Sequence, residues 1–106
     1  MAAYSVVVLP RAEADAAEHA SWIAEDSPAA AVRWIEGPER AIEALNEMPN
    51  AHARVPETGR FRRKYRQIHH HAHRVLFFVD ETAKTVVVAR VVHGARDRLR
   101  PGDLPR

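Results

Sequence analysis

Two groups of side chains in this sequence carry potential chemistry near neutral pH. The first is histidine: His69, His70, His71 and His73 fall in the run HHHAH. The second is cationic. Arg60, Arg62, Arg63, Lys64, Arg66 and Arg74 lie between Thr58 and Val79 with no acid among them. Arg96, Arg98 and Arg100 then follow His93-Gly94. Neighbouring neutral imidazoles are candidate ligands for Zn²⁺ or Ni²⁺. On an unbroken strand His69, His71 and His73 would share one side and His70 the other. A turn expected at His71-Ala72 breaks that geometry, and no Cys, Asp or Glu lies nearby, so no metal site is expected. The segregated cations suit an anionic partner, either nucleic acid or an acidic protein segment, or else balance an acidic, solvated helical face in the first half of the chain.

The charge balance sharpens this asymmetry. The net charge is +2, yet residues 1–57 carry 4 arginines against 10 acids, a net −6. Residues 58–106 carry 12 Lys and Arg against 4 acids, a net +8. A chain of 106 residues with 46% apolar side chains supports a single core, so residues 1–106 are expected to form one domain with a basic tail from about residue 95. Without cysteine there are no disulfides or thiolate sites. No apolar run reaches the roughly 18 residues of a membrane helix, and no charged start precedes an apolar stretch. A cytoplasmic protein with no membrane partner is the expectation.

The elements that must position these groups follow from apolar periodicity. Tyr4 to Leu9 is a short apolar strand closed by Pro10. Arg11 to Asp26 is an alanine-rich helix, with Ala12, Ala16, Ala20 and Ile23 at helical spacing. Ser27 and Pro28 supply an N-cap and a first-turn proline. A second helix should run to about Met48 and pack antiparallel to the first. Gly37-Pro38 predicts a kink or short break near Glu36, since an interior proline costs roughly 3 kcal/mol. Trp22 and Trp34 are expected in the core or between the helices. After a polar connector, Asn50 to Gly59, come strands at Arg60–His70, Arg74–Val79 and Thr85–His93, with a hairpin loop at Asp80–Lys84. In the last strand, Val86, Val87, Val88, Val91 and Val92 suit a central, covered position. The order is β-α-α-β-β-β, an α+β fold with a helical hairpin on a mainly antiparallel sheet.

The segments WIAEDSPAAAVRWIEG, AIEALNEMP, YRQIHHHAHRVLFFVD and VVVARVVHGARD occur in an order and spacing that resembles the RelE/ParE superfamily. These are the toxins of bacterial type II toxin–antitoxin systems, and the likeness is closer to the ParE branch. It extends from Tyr4 to about Leu99. The proline at position 38 departs from the family pattern.

The resemblance implies a growth inhibitor neutralised by a cognate antitoxin, with DNA bound only through that antitoxin. Both helices are acid-rich, which argues against major-groove reading by this chain itself. The resemblance implies two candidate targets. ParE-like members poison DNA gyrase by protein contact. RelE-like members enter the ribosome and cut mRNA. Neither requires a cofactor. Cutting RNA without a metal needs a base, an acid and cations on one phosphate. For that role, Arg74 and Arg96 match family arginines. His93, with a reference pKa near 6.5, stands near a family acid, and Glu57 is a loosely placed base. Lys64, Arg66 and Arg98 are candidate binding cations. Arg74 could equally pair with Asp80, Glu81 or a helical carboxylate. The tyrosine that the nuclease branch often places beyond the last strand is absent here. Gyrase is therefore the favoured target.

Overall fold

The computed structural model describes residues 4–57, 59, 61–70, 73–93, 99 and 101–104. The elements are β1 (Ser5–Val8), α1 (Pro10–Asp26), α2 (Pro28–Glu43), β2 (Arg66–His70), β3 (His73–Asp80) and β4 (Thr85–His93). They form one sheet in the order β1-β4-β3-β2. β1 runs parallel to β4, whereas β2, β3 and β4 form an antiparallel meander. The expected β-α-α-β-β-β arrangement is what the chain adopts, and its valine-rich last strand is internal.

Ser27 makes the helical hairpin. Its backbone is extended, its N–H donates to the Ile23 carbonyl at the end of α1, and its Oγ accepts the Ala30 N–H at 3.2 Å. One residue therefore satisfies orphan groups of both helices. Of the kink or short break expected near Glu36, no break occurs: α2 continues through Pro38, which is buried. Trp34, one turn before Pro38, and the following Leu45 pack into the core under the helices, and such tertiary packing offsets the missing backbone donor. α2 ends earlier than expected, at Glu43, and passes into short 3₁₀ turns at Ala44–Asn46 and Pro49–Ala51. Between them Met48 takes the left-handed conformation at φ 49°.

The strand expected over Arg60–His70 is shorter, beginning only at Arg66. Here tertiary structure overrides the extended pattern. Tyr65 turns into the interior at 1% exposure. The outer side of β2 is taken by residues 53–55, through Gln67 N–H to the Ala53 carbonyl, Val55 N–H to the Tyr65 carbonyl, and an Arg54–Arg66 bridge. Register pairs His70 with His73, so the chain reverses between them. His71 and Ala72, where the turn was expected, lie outside the described residues.

The sheet is covered on both faces. Under the helices, Ala12, Trp34, Leu45, Val75, Phe77, Val86, Val88 and Val91 form one cluster. On the reverse face Val55, Tyr65, Leu76, Ala89, Leu99 and Leu104 form a second, built partly from the tail. A bulge divides β4 between them. Leu76 pairs with Arg90 and Phe77 with Val88, leaving Ala89 as the extra residue. That insertion switches the alternation, so Val86, Val88 and Val91 all reach the helix side. Trp34 is buried as expected, but Trp22 is 70% exposed. The packed face of α1 runs through Ala12, Ala16, Ala20 and Ile23, and Trp22 lies off it.

Candidate functional site

Arg74 enters the reverse face from β3. Its Nε donates to Gln67 Oε1 at 2.8 Å, while Nη1 and Nη2 donate to Glu57 Oε2 and Oε1 at 3.1 and 2.9 Å. This is a bidentate pair, the strongest geometry available to a guanidinium and a carboxylate. Arg74 is 5% exposed and Glu57 6%. Glu57 Oε2 also accepts the Leu99 N–H at 2.7 Å. Burial alone would raise the Glu57 carboxyl. The hydrogen bonds from Arg74 and from the Leu99 backbone outweigh it and hold the pKa at about 2. The pair thus joins the polar connector, β3 and the C-terminal segment.

A second buried pair stands beside it. β1 hydrogen-bonds to β4 only as far as the Leu9 N–H to Val88 carbonyl contact, after which the chain turns into α1. Beyond that point the edge of β4 has lost its strand partner. Asp15 of α1 takes over: its Oδ2 accepts the Val91 N–H at 3.0 Å and Arg90 Nε at 2.7 Å. Arg90 Nη2 adds a bond to Oδ1 at 3.2 Å, and Nη1 donates to the Asp103 carbonyl at 3.0 Å. A helix carboxylate thus completes a strand edge and anchors an arginine that pins the tail.

The helix side of the same sheet end is aromatic. The His73 ring lies 4.4 Å from His19, 5.0 Å from Trp34 and 5.1 Å from His93, centroid to centroid, all edge-on. His19 and His93 also line a cleft of about 310 Å³ with Arg11, Glu18 and Asp103. His73 and His93 pair across β3 and β4, and Arg74 is the next residue of β3. Successive strand residues face opposite ways. His93 therefore meets the helices, while Arg74 meets Glu57 on the reverse face.

The sequence candidates are accordingly dispersed. Arg74 and His93 occupy opposite faces. Lys64 is exposed, and Arg66 Nη1 donates to the His52 carbonyl at 2.6 Å. Arg96 and Arg98 lie outside the described residues. Arg74 pairs with Glu57 rather than with Asp80, Glu81 or a helical acid. Glu81 instead accepts Asn50 Nδ2, the Tyr4 hydroxyl and Lys84 Nζ, contacts that lower its pKa. The histidine run is split as well. His69 is exposed beside Gln67 Nε2, whereas His73 is interior. Among the described residues no group of three or more His, Cys, Asp or Glu is arranged to hold a metal ion. Nor is any described helix long and apolar enough to cross a membrane.

Asp15 and Arg90 were not singled out from sequence, although both left a signal. Asp15 stands three residues from Ala12, on the apolar stripe of α1. Arg90 interrupts VVVARVV, and a cation inside a buried strand must find a carboxylate.

A family model for the ParE toxin of the type II toxin–antitoxin system parDE matches residues 6–98. No curated protein matches the sequence. Among solved structures, the chain is similar to one from the chromosomal ParDE toxin–antitoxin system of P. aeruginosa. Identity is 15%, with a TM-score of 0.71 over 88% of this chain and 98% of that one. It is also similar to a chain of the toxin–antitoxin complex RelBE2 of Mycobacterium tuberculosis. There identity is 24%, with a TM-score of 0.55 over 88% of this chain and 93% of the other. The structural likenesses establish the fold, and the family model, spanning both helices and all four strands almost entire, establishes descent: the chain belongs to the ParE toxin family of type II toxin–antitoxin systems.

Proposed function

We propose that this toxin arrests growth by binding DNA gyrase, without chemistry of its own, and that a cognate antitoxin neutralises it. The supporting observation is the commitment of Arg74. All three of its guanidinium nitrogens donate to Glu57 or Gln67, and it is nearly buried. A cation so engaged must break a bidentate pair before it can hold a scissile phosphate. Glu57, with a pKa of about 2 and both oxygens occupied, is a weak base at neutral pH. Neither tyrosine supplies the group missing from the tail: Tyr65 is buried, and the Tyr4 hydroxyl donates to Glu81. The antitoxin partner is supported by the two structural relatives, both from toxin–antitoxin systems. Ribosome-dependent mRNA cleavage is the alternative. It draws on exposed Lys64, on Arg66, and on the tail cations Arg96 and Arg98.

Purified toxin is expected to trap covalent gyrase–DNA cleavage complexes and to leave ribosome-bound mRNA whole. Intact DNA at saturating toxin, together with mRNA cut at the ribosomal A site, would reverse the assignment. His93→Gln is the informative variant for the nuclease alternative, because Arg74→Ala removes a buried ion pair and confounds chemistry with folding. Expression of the toxin alone should stop growth, and the small open reading frame beside its gene should restore it.

A further inference from the structure

The helix face of the β3–β4 sheet end holds a ring cluster that gyrase binding leaves without a task. His19 of α1, Trp34 of α2, His73 of β3 and His93 of β4 bring four elements together. His73 is central and 9% exposed, with His19, Trp34 and His93 edge-on at 4.4, 5.0 and 5.1 Å. His19 also meets Trp34 at 5.9 Å. Elsewhere in this layer the hairpin rests on apolar side chains of the sheet. Here it rests on imidazoles.

Such a contact has two states. Neutral imidazoles pack as small aromatic rings. Imidazolium ions at this spacing repel one another, and an interior one also forfeits its hydration. Nδ1 of His93 is buried and has no hydrogen-bond partner among the described residues, so a proton placed there finds no acceptor. Trp34 contributes only an Nε1–H donor.

The charged groups around the cluster do not neutralise it. Arg11, Asp15 and Glu18 of α1, Arg90 of β4, and Asp103 line a cleft with His19 and His93. Asp15 is already engaged by Arg90, by the Val91 N–H and by Arg11. That leaves Glu18, which is exposed, and Asp103, which is half-buried. His73 does not line that cleft, so these carboxylates are offered to the two outer rings only. α2 faces the cluster with Trp34, flanked one turn away by the uncharged Ala31 and Pro38. On β2 the register partner of His73 is His70, a further titratable residue. Arg74, next along β3, is held by Glu57 on the reverse face.

We propose that His19, His73 and His93 form an acid-sensitive clasp, which holds the helical hairpin on the sheet while neutral and releases it in mild acid. Opening exposes the imidazoles to water, where they charge near their ordinary value of about 6.5. The open state then binds more protons than the closed one. Closure is therefore fully stable above that range and weakens as pH falls through it. Ordinary carboxylates titrate well below pH 5.5, so the window from pH 7.5 to 5.5 belongs to histidine. The clasp does not depend on which target the toxin meets.

Amide hydrogen exchange of the purified toxin at pH 7.5 and 5.5, corrected for intrinsic rates and repeated at low urea, tests this. Residues 19–23 and 31–35 report the hairpin, and residues 77 and 86–88 the sheet. The hairpin amides should exchange through an opening with less protection and a shallower urea slope than the sheet amides. Each histidine that is charged only in the open state contributes about tenfold at pH 5.5. Hairpin protection should therefore fall by about ten- to a hundredfold between the two pH values. His73→Phe keeps a ring and removes the interior proton site, and should reduce that fall to below about threefold. His93→Phe gives the same comparison should His73→Phe fail to fold. His52→Phe, at a histidine that instead meets Phe77 at 5.9 Å, should leave the fall unchanged. Equal hairpin protection at both pH values would overturn the proposal. So would a full acid effect in His73→Phe or His93→Phe. Hairpin amides that share the protection and urea slope of the sheet would also overturn it, since the layers would then part only on global unfolding.

Discussion

Arg74 and Arg90 invite direct comparison. Both are strand arginines on the meander, both hold a carboxylate from a distant segment, and both tie down the tail. Arg74 does so through Glu57 to the Leu99 N–H, and Arg90 directly to the Asp103 carbonyl. They differ in depth and in partner. The Arg74–Glu57 side chains are 6% and 4% exposed, while those of Arg90–Asp15 are 15% and 8%. Glu57 comes from the connector on the reverse face, whereas Asp15 comes from the helix layer and also completes the β4 edge. The same two functional groups therefore lock different layers together. A cation's position in a family pattern does not reveal whether it faces a phosphate or a carboxylate of its own chain.

The largest expected effect tests the deeper pair. Arg74→Ala should cost about 3–5 kcal/mol by urea denaturation, because it leaves the Glu57 carboxylate buried and unpaired. Replacing Arg74 and Glu57 together by leucine should recover much of that loss. Additive losses in the double variant would show that the pair is not a unit.

Breaking the shallower pair should cost less. Asp15→Ala is expected to destabilise by about 2–3 kcal/mol, since it strands the Val91 N–H as well as Arg90, though water reaches the latter more readily. Asp15→Asn keeps an acceptor for the Val91 N–H and should cost less than the alanine variant. Equal losses in the two would refute the edge-completing role.

Acid should weaken the deeper pair by a comparable margin. The Glu57 pKa falls from 4.5 to about 2 on folding. A depressed carboxyl pKa contributes stability that is full above the unfolded value and is lost as pH falls through the folded one. Its contribution, roughly 3 kcal/mol at 1.36 kcal/mol per unit, should disappear between about pH 4.5 and 2. Stability measured across that window should fall more steeply in wild type than in the Arg74→Leu/Glu57→Leu variant. Parallel slopes would show that other carboxylates dominate.

The smallest effect is expected at the surface. Arg62→Ala and Lys64→Ala, at exposed positions, should each change stability by less than about 0.5 kcal/mol. A larger loss would mean that these cations, too, serve the fold.

Much of the chain was legible in its residues. The Ser27-Pro28 junction carries its cap chemistry locally, and the bounds of β4, Thr85 and His93, fall where β-branched residues stop. Features that depend on partners were not legible in this way. Tyr65, just before β2, is buried in the reverse-face cluster between the rings of Phe61 and Phe78, partners that a local pattern does not name. Pro38 stayed helical because its neighbours are packed. Trp22, apolar and on an amphipathic helix, faces outward because it lies off the flank of α1 that the sheet and α2 cover, and hydropathy alone does not reveal that flank.

The toxin family was legible as a resemblance in the order and spacing of four segments. The sequence by itself determined the element order, the antiparallel meander and the helical hairpin. These follow from periodicities of 2 and 3.6 residues, caps and turns, which act over a few residues. Only the tertiary structure decided that Arg74 answers to Glu57, that Asp15 stands in for a missing strand, and that His93 and Arg74 part to opposite faces. Those outcomes depend on the path of the chain. A strand sends consecutive side chains to opposite sides, one bulge reverses the alternation, and a buried charge accepts whichever opposite charge the fold brings within reach.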